Sequence, residues 1–281
     1  MKKIVFVLSF LVASVSLTAQ VQAPQPSPFS KVEQKVGLTD VHIEYSRPGV
    51  KGRTIFGDLV PFGKTWRTGA NATTKITFSD DVKFGGKEVK KGTYALYTVP
   101  NKNSWEVLLY ADSKNMATPA NWDDSKVVAK ATAKVNPIPF NVETFTMDIN
   151  NITNNGATLD LIWEKSYVAV PFEVPTKEKT MASIKKVMAG AGANDYFSAA
   201  SFYHGEGMDL SQAKEWIDKA IELRGEEAFW MLREKSLIHA SMGDKKGAIA
   251  AAKRSLASAT AAKNAAYIKM NEESLKEWGA K

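Results

Sequence analysis

The chain has 281 residues, of which 44% are hydrophobic and 24% are charged. This length is long for one domain and suits two, and the average composition argues against disorder throughout the chain. Cysteine is absent, which excludes disulfide frameworks, thiolate zinc sites, cysteine nucleophiles and lipid attachment through cysteine. The formal net charge of +7 is too small to indicate nucleic-acid binding, so we expect no nucleic-acid partner.

The first 19 residues have the pattern of a secretory signal peptide. Lys2 and Lys3 precede an apolar run over residues 4–17, which is too short, at ~14 residues against ~20, to span a bilayer. Residues 20–30 are rich in Pro, Gln and Ser and are predicted to form a flexible leader. We therefore predict export to the periplasm or cell envelope of a Gram-negative bacterium, or secretion, with no membrane span after cleavage.

Residues 31–175 alternate between apolar and polar side chains, which is the period of strands with one buried face. Clear examples are VHIEY at residues 41–45, WEVLL at residues 105–109 and LDLIW at residues 159–163. Glycine and asparagine turns separate these short runs, which favours an antiparallel sandwich or barrel over alternating strands and helices. We therefore predict an all-β domain for this part of the chain.

Residues 176–281 have a different composition, dominated by Ala, Lys and Glu, with apolar residues at helical spacing. Asp209 is a predicted helix N-cap. The pattern repeats at an offset of 35 residues, since Asp209 and Ala213 match Asp244 and Ala248. Helix pairs of ~34 residues are typical of tetratricopeptide (TPR) repeats, so we predict TPR-like helical hairpins whose surface suits a protein partner. The whole chain is then an α+β protein with two domains.

The most unusual stretch is residues 46–71, SRPGVKGRTIFGDLVPFGKTWRTGAN, which we call the basic segment. Between residues 47 and 67 it holds five cations and one acid, a net charge of +4. Glycines let backbone amides approach a ligand, arginines favour bidentate contacts with anions, and a tryptophan face can stack on a sugar or flat ring. The segment predicts a site for a small anionic or sugar ligand, made of Arg47, Lys51, Arg53, Lys64, Trp66, Arg67 and Asn71.

A structural interpretation of the basic segment stays open. Glycine and proline make tight loops, and arginines in such loops often pair with a nearby acid such as Asp58 or with carbonyl oxygens. In that interpretation, Trp66, Phe56 and Phe62 cover the core of the β domain and the arginines brace a loop. A surface for contact with another protein is the third interpretation.

Two runs in the β domain carry a family resemblance: the basic segment and residues 85–100, GGKEVKKGTYALYTVP. They resemble the bacterial family called domain of unknown function 2911 over roughly residues 30–175. The resemblance implies an exported protein of the Bacteroidetes, in some cases with a helical repeat region behind the family domain. Ala72 stands where many relatives are expected to carry a glutamate. The family has no established activity, so the resemblance implies no catalytic residue.

Common catalytic and metal-binding motifs are missing from the sequence, which holds no GxSxG elbow, no GxxxxGK[ST] phosphate loop and no HExxH zinc helix. The pairs Asp80–Asp81 and Asp123–Asp124 are adjacent, which suits turns better than the separated carboxylates of a glycosidase. We therefore predict no catalytic residue, no metal and no cofactor. The preferred function is a non-catalytic binding or scaffold protein of the bacterial envelope. The alternative is a hydrolase acting on glycans or other envelope substrates, and a third reading is a module that only packs with other envelope proteins.

Overall fold

The computed structural model describes residues 23–225 and 228–280. The chain divides into two compact units, Met1–Val174 and Pro175–Lys281. The described part of the first unit is built from β-strands and that of the second from helices, so the predicted α+β class is confirmed. The predicted signal peptide lies outside the described residues.

The β unit is one antiparallel sheet of nine strands. Apolar and polar side chains alternate along most of these strands, so each strand turns one face toward the core. The strands are β1 (Phe29–Val36), β2 (Thr39–Ser46), β3 (Lys75–Phe78), β4 (Val82–Phe84), β5 (Lys87–Val89), β6 (Gly92–Pro100), β7 (Ser104–Tyr110), β8 (Val127–Asn150) and β9 (Gly156–Glu173).

The order of the strands across the sheet is β1-β2-β3-β6-β7-β8-β9-β4-β5. The long strand β8 pairs with β7 as far as Lys134 and with β9 from Val135 onward, so it passes from one half of the sheet to the other. The two halves face each other, because the Tyr45 hydroxyl on β2 donates to the Met147 carbonyl on β8 and accepts from its amide (3.1 and 2.8 Å). Strands β1 and β5 are the two ends of this order. Of the two predicted architectures, a sandwich or a barrel, the sheet therefore has that of an open sandwich.

Aromatic side chains fill the part of the sandwich that lies under the basic segment. Trp163 stacks on Trp66, with ring centroids 5.7 Å apart and an angle of 17° between the ring planes. The Trp163 ring centroid also lies 5.6 Å from that of Phe145. Phe56 packs at 4.7 Å against Trp105. We call these five residues the aromatic core. Rings of this size dominate the apolar area that a small domain buries.

The second unit contains six α-helices among its described residues, and none of them is long and apolar enough to cross a membrane. Apolar positions at a spacing of three and four residues give the helices Leu210–Arg224 and Lys245–Ala261 a buried stripe. The helices are α1 (Thr176–Val187), α2 (Ala193–Gly205), α3 (Leu210–Arg224), α4 (Phe229–Ser241), α5 (Lys245–Ala261) and α6 (Ala265–Glu277).

The offset of 35 residues is visible in the helical unit. Asp209 caps α3 and Asp244 caps α5, each through side-chain hydrogen bonds from backbone amides, so the predicted N-cap at Asp209 is confirmed. Ala213 and Ala248 are both fully buried, as small residues at a helix crossing are. The assignment of this unit to TPR repeats stays a prediction.

Candidate functional site

Two arginines of the basic segment hold backbone in place. Arg47 reaches β8, where its Nε donates to the Phe145 carbonyl (3.0 Å) and its Nη2 to the Thr146 hydroxyl (2.7 Å). Arg53 folds back onto its own loop, where Nε and Nη2 donate to the carbonyl oxygens of residues 50 and 49 (3.0 and 2.6 Å). These bonds fit the interpretation of the segment as a braced loop, since both guanidinium groups are already engaged.

Lys51 and Asn71 also form hydrogen bonds with other parts of the β unit. The Lys51 backbone N–H donates to the Glu143 carboxylate (2.8 Å), and its ammonium group donates to the Pro26 carbonyl (3.4 Å). The Asn71 side-chain amide donates to the carbonyl of Ser27 (3.0 Å), so the chain just before β1 lies against the basic segment. Strand β1 itself begins at Phe29, two residues earlier than the predicted start of the β domain.

Trp66 belongs to the aromatic core. Its backbone pairs with Thr98 on β6 through two hydrogen bonds (2.7 and 2.9 Å), and its indole N–H donates to the Gly69 carbonyl (3.1 Å). The half-buried ring packs among the other four members of the aromatic core. This packing fits the alternative in which Trp66 covers the core.

The backbone next to Lys64 and Arg67 is held by β6. The amide of the neighbouring Gly63 donates to the Pro100 carbonyl (2.9 Å). Lys64 is exposed, and the Nε of Arg67 is buried without a hydrogen-bond partner among the described residues. Arg47, Arg53 and Asn71 therefore have hydrogen-bond partners within the β unit, and the binding site predicted in the basic segment stays a prediction.

A cleft opens next to the basic segment on the same unit. It has a volume of about 340 Å³ and is formed by the segment, the β6–β7 turn and the irregular region where β8 and β9 change register. Two phenylalanines and a buried tryptophan supply its apolar surface, and amides, a hydroxyl, two ammonium groups and one carboxylate supply its polar surface. We call it the aromatic cleft; its lining residues are Phe56, Phe62, Asn101, Lys102, Trp105, Asn141, Glu164, Lys165 and Ser166.

Glu164 fixes one wall of the aromatic cleft. It lies in β9 opposite Val142, at the point where the β8–β9 register shifts, and its φ is +50°, which is uncommon for a residue other than glycine. Its two carboxylate oxygens accept from the amides of Ile55 (3.1 Å) and Phe56 (3.4 Å). The Glu164 carboxylate therefore connects the basic segment to β9. Residues other than glycine with a positive φ often occur at functional sites.

The free charges of the aromatic cleft are positive. Lys102 and Lys165 are exposed, and their ammonium groups form no hydrogen bond or ion pair with any residue that the structure describes. The Glu164 carboxylate, in contrast, is compensated by two amides. Asn101 and Asn141 add neutral hydrogen-bonding groups at the edge. The cleft therefore combines aromatic faces with two available cations.

The aspartate pairs lie in turns away from the aromatic cleft. The Lys90 ammonium, with the Lys91 amide, lowers the pKa of Asp81, and the Ser125 hydroxyl and amide lower the pKa of Asp123. Both residues thus act as hydrogen-bond acceptors within local turns. In the described parts of the chain, no group of three or more histidines and acids is placed to hold a metal ion.

The basic segment was singled out by its composition, but the residues that line the cleft were not. Of its lining, only Phe56 and Phe62 belong to the segment, and the structural interpretation of the segment assigns both to the cover of the core. Lys102 lies in an Asn-rich turn, NKNS at residues 101–104, which carries a weak signal for a site. The left-handed conformation of Glu164 has no signature in the sequence, because it depends on the register of two strands.

One comparison with known proteins finds a relationship. A family model described as "Protein of unknown function (DUF2911)" matches residues 27–172, which is more than half of the chain. The match covers β1 to β9 almost completely and ends before the helices. No curated protein and no solved structure matches the chain.

Proposed function

The chain belongs to the DUF2911 family of proteins of unknown function, and we propose that its β unit is a non-catalytic module that binds a small ring-shaped anion in the aromatic cleft. The supporting observation is the combination of aromatic surface with two lysines, Lys102 and Lys165, that lack partners among the described residues. The volume of about 340 Å³ lies within the range of small-molecule sites.

Each part of the aromatic cleft has a role in this proposal. The rings of Phe56 and Phe62 cover the faces of a ring-shaped ligand, and burial of such apolar surface supplies much of the binding free energy. Lysine ammonium groups pair with a carboxylate, sulfate or phosphate as point charges. The amides of Asn101 and Asn141 orient the ligand through neutral hydrogen bonds.

A binding function fits the cleft better than the hydrolase alternative. Glycoside hydrolysis normally uses two carboxylates on opposite sides of the bond that breaks. Glu164 is the one carboxylate among the described lining residues, and both of its oxygens already accept from the amides of Ile55 and Phe56. Its position supports a structural task, namely holding the basic segment beside the cleft.

Titration calorimetry with pairs of matched ligands tests the proposal. We expect glucuronate and benzoate to bind and their neutral counterparts, glucose and benzyl alcohol, to bind more weakly. The double variant Lys102→Ala/Lys165→Ala is expected to lose about tenfold or more in affinity for the anions, a change of about 1.4 kcal/mol. Added salt should weaken wild-type binding, because exposed charges are screened.

The matched control is Lys87→Ala/Lys114→Ala, which removes two exposed lysines that do not line the cleft. It should bind like the wild type. Equal affinity for anionic and neutral ligands, or equal loss in both double variants, would contradict the proposal. Release of a cleaved product from aryl glucuronides or aryl esters would favour the hydrolase instead.

We also propose that the protein is exported to the periplasm or envelope of a Gram-negative bacterium. The support is the sequence of residues 1–19, with two lysines followed by a short apolar run. When the full gene is expressed in such a host, we expect the protein in the periplasmic fraction, with an N-terminus close to Gln20 by terminal sequencing. An intact Met1 in the cytoplasmic fraction would refute this localisation.

A further inference from the structure

The sheet of the β unit carries a second apolar cluster on the face opposite the core. Ala95, Tyr97, Leu108 and Tyr110 on β6 and β7 are buried there together. A face of an antiparallel sheet that is turned away from the core is usually polar. Here the connection between β7 and β8 covers part of the cluster instead, and it does so with Trp122.

Trp122 is held in a fixed position by its neighbours. Its ring lies 4.6 Å from that of Tyr110 and 5.2 Å from that of Tyr97. Its indole N–H donates to the Asp124 carboxylate (2.8 Å), within a 3₁₀ turn that Asp123 caps. The ring is therefore preorganised, which lowers the entropy cost of any contact that it makes.

A groove of about 520 Å³ lies beside Trp122; we call it the outer groove. Its lining combines apolar side chains with three charged ones. Glu106 and Lys130, on the neighbouring strands β7 and β8, form an ion pair at 2.9 Å that stays accessible, with 38% and 52% of their side chains exposed. The lining residues are Thr65, Val99, Glu106, Leu108, Trp122, Asp124, Val127 and Lys130.

We propose that the outer groove binds a neutral saccharide chain. A sugar ring has apolar C–H faces and a rim of hydroxyl groups that both donate and accept hydrogen bonds. The Trp122 ring and the apolar side chains of the lining match the faces. The Glu106 carboxylate and the Lys130 ammonium supply an acceptor and a donor side by side for neighbouring hydroxyls. The stacking function that the sequence suggested for Trp66 is thus available at Trp122.

The charge of the outer groove selects against anions. It holds two carboxylates, Glu106 and Asp124, against one ammonium, Lys130, so its net charge has the opposite sign to that of the aromatic cleft. An acidic saccharide would bring like charges together. The groove and the cleft share no lining residue, and this inference stands or falls independently of the function proposed for the cleft.

Binding of neutral hexasaccharides of glucose, mannose, xylose and N-acetylglucosamine to the full chain tests the inference. Calorimetry measures affinity, and ¹H–¹⁵N NMR follows the indole N–H signal of Trp122, identified by its absence in Trp122→Phe. We expect at least one hexasaccharide to bind at millimolar concentration and to shift this signal. Trp122→Phe, which keeps a ring over Tyr97 and Tyr110, and Glu106→Ala/Lys130→Ala should each bind about tenfold more weakly.

The ion pair Lys35–Asp40 (2.7 Å) at the β1–β2 turn provides a matched control, because it is also exposed and such pairs contribute little to stability. Lys35→Ala/Asp40→Ala should bind hexasaccharides like the wild type. Failure of every hexasaccharide to shift the Trp122 signal overturns the inference. So does unchanged affinity in the groove variants, or tighter binding of an acidic hexasaccharide of galacturonate.

Discussion

Replacing Trp163 with alanine is expected to lower the free energy of unfolding of the β unit by about 3–5 kcal/mol, the usual cost of deleting a large buried side chain. The side chain is 1% exposed and contacts Trp66, Phe145 and Phe56. Its indole N–H also donates to the Glu143 carbonyl (3.2 Å), which would lose this partner. Because small domains have total stabilities of about 5–15 kcal/mol, this variant should be close to unfolding.

Hydrogen exchange of the β6 and β7 amides measures this effect in the full chain, because these amides report on the β unit without the helices. Trp163→Phe keeps part of the ring and should fall between the wild type and alanine. Leu59→Ala serves as the control: Leu59 is 47% exposed, and its loss should change stability by no more than about 0.5 kcal/mol. Equal protection in Trp163→Ala and Leu59→Ala would show that the aromatic core does not support the sheet.

The fold class was predictable because burial follows the period of the side chains. Val41, Ile43 and Tyr45 alternate with polar residues, and the structure buries all three. The path of β8 was not predictable in the same way. Proline cannot donate a hydrogen bond to a neighbouring strand, so Pro137 and Pro139 would usually exclude a central strand. Strand β8 nevertheless contains both and is 24 residues long. The register shift between Pro137 and Val142 accommodates them, and that shift depends on β9.

The candidate site was predictable only as a region. Glycines and prolines indicated irregular backbone over the basic segment, and the structure has it. The partners of its arginines can lie far away in the sequence. Arg47 donates to Phe145 and Thr146, which are 98 and 99 positions further along the chain. The aromatic cleft likewise takes its walls from separate stretches around Phe56, Lys102, Asn141 and Glu164. Only the folded sheet brings these stretches together, so no local sequence pattern predicts the cleft.

Glu164 is the residue at which fold and site depend on each other most directly. Its replacement with alanine removes the acceptor of the Ile55 and Phe56 amides. Hydrogen bonds to a charged group are worth about 1.5–3 kcal/mol, so we expect a loss of stability of this size. Binding of ring anions in the aromatic cleft should weaken as well, because Phe56 is no longer held beside Trp105.

A series of variants at this position separates the carboxylate from the backbone conformation. At φ +50° glycine is unstrained, whereas alanine carries a cost of about 1–2 kcal/mol. Glu164→Gly should therefore be more stable than Glu164→Ala by about 1 kcal/mol, although both lose the carboxylate. Urea unfolding of the two variants, followed through the β6 and β7 amides, measures this difference, and calorimetry with benzoate measures binding.

We expect both variants to bind benzoate weakly and Glu164→Gln, which retains one acceptor oxygen, to bind it with intermediate affinity. Wild-type affinity in Glu164→Gly would mean that the carboxylate does not organise the cleft, and equal stability of the glycine and alanine variants would mean that the backbone there is not strained.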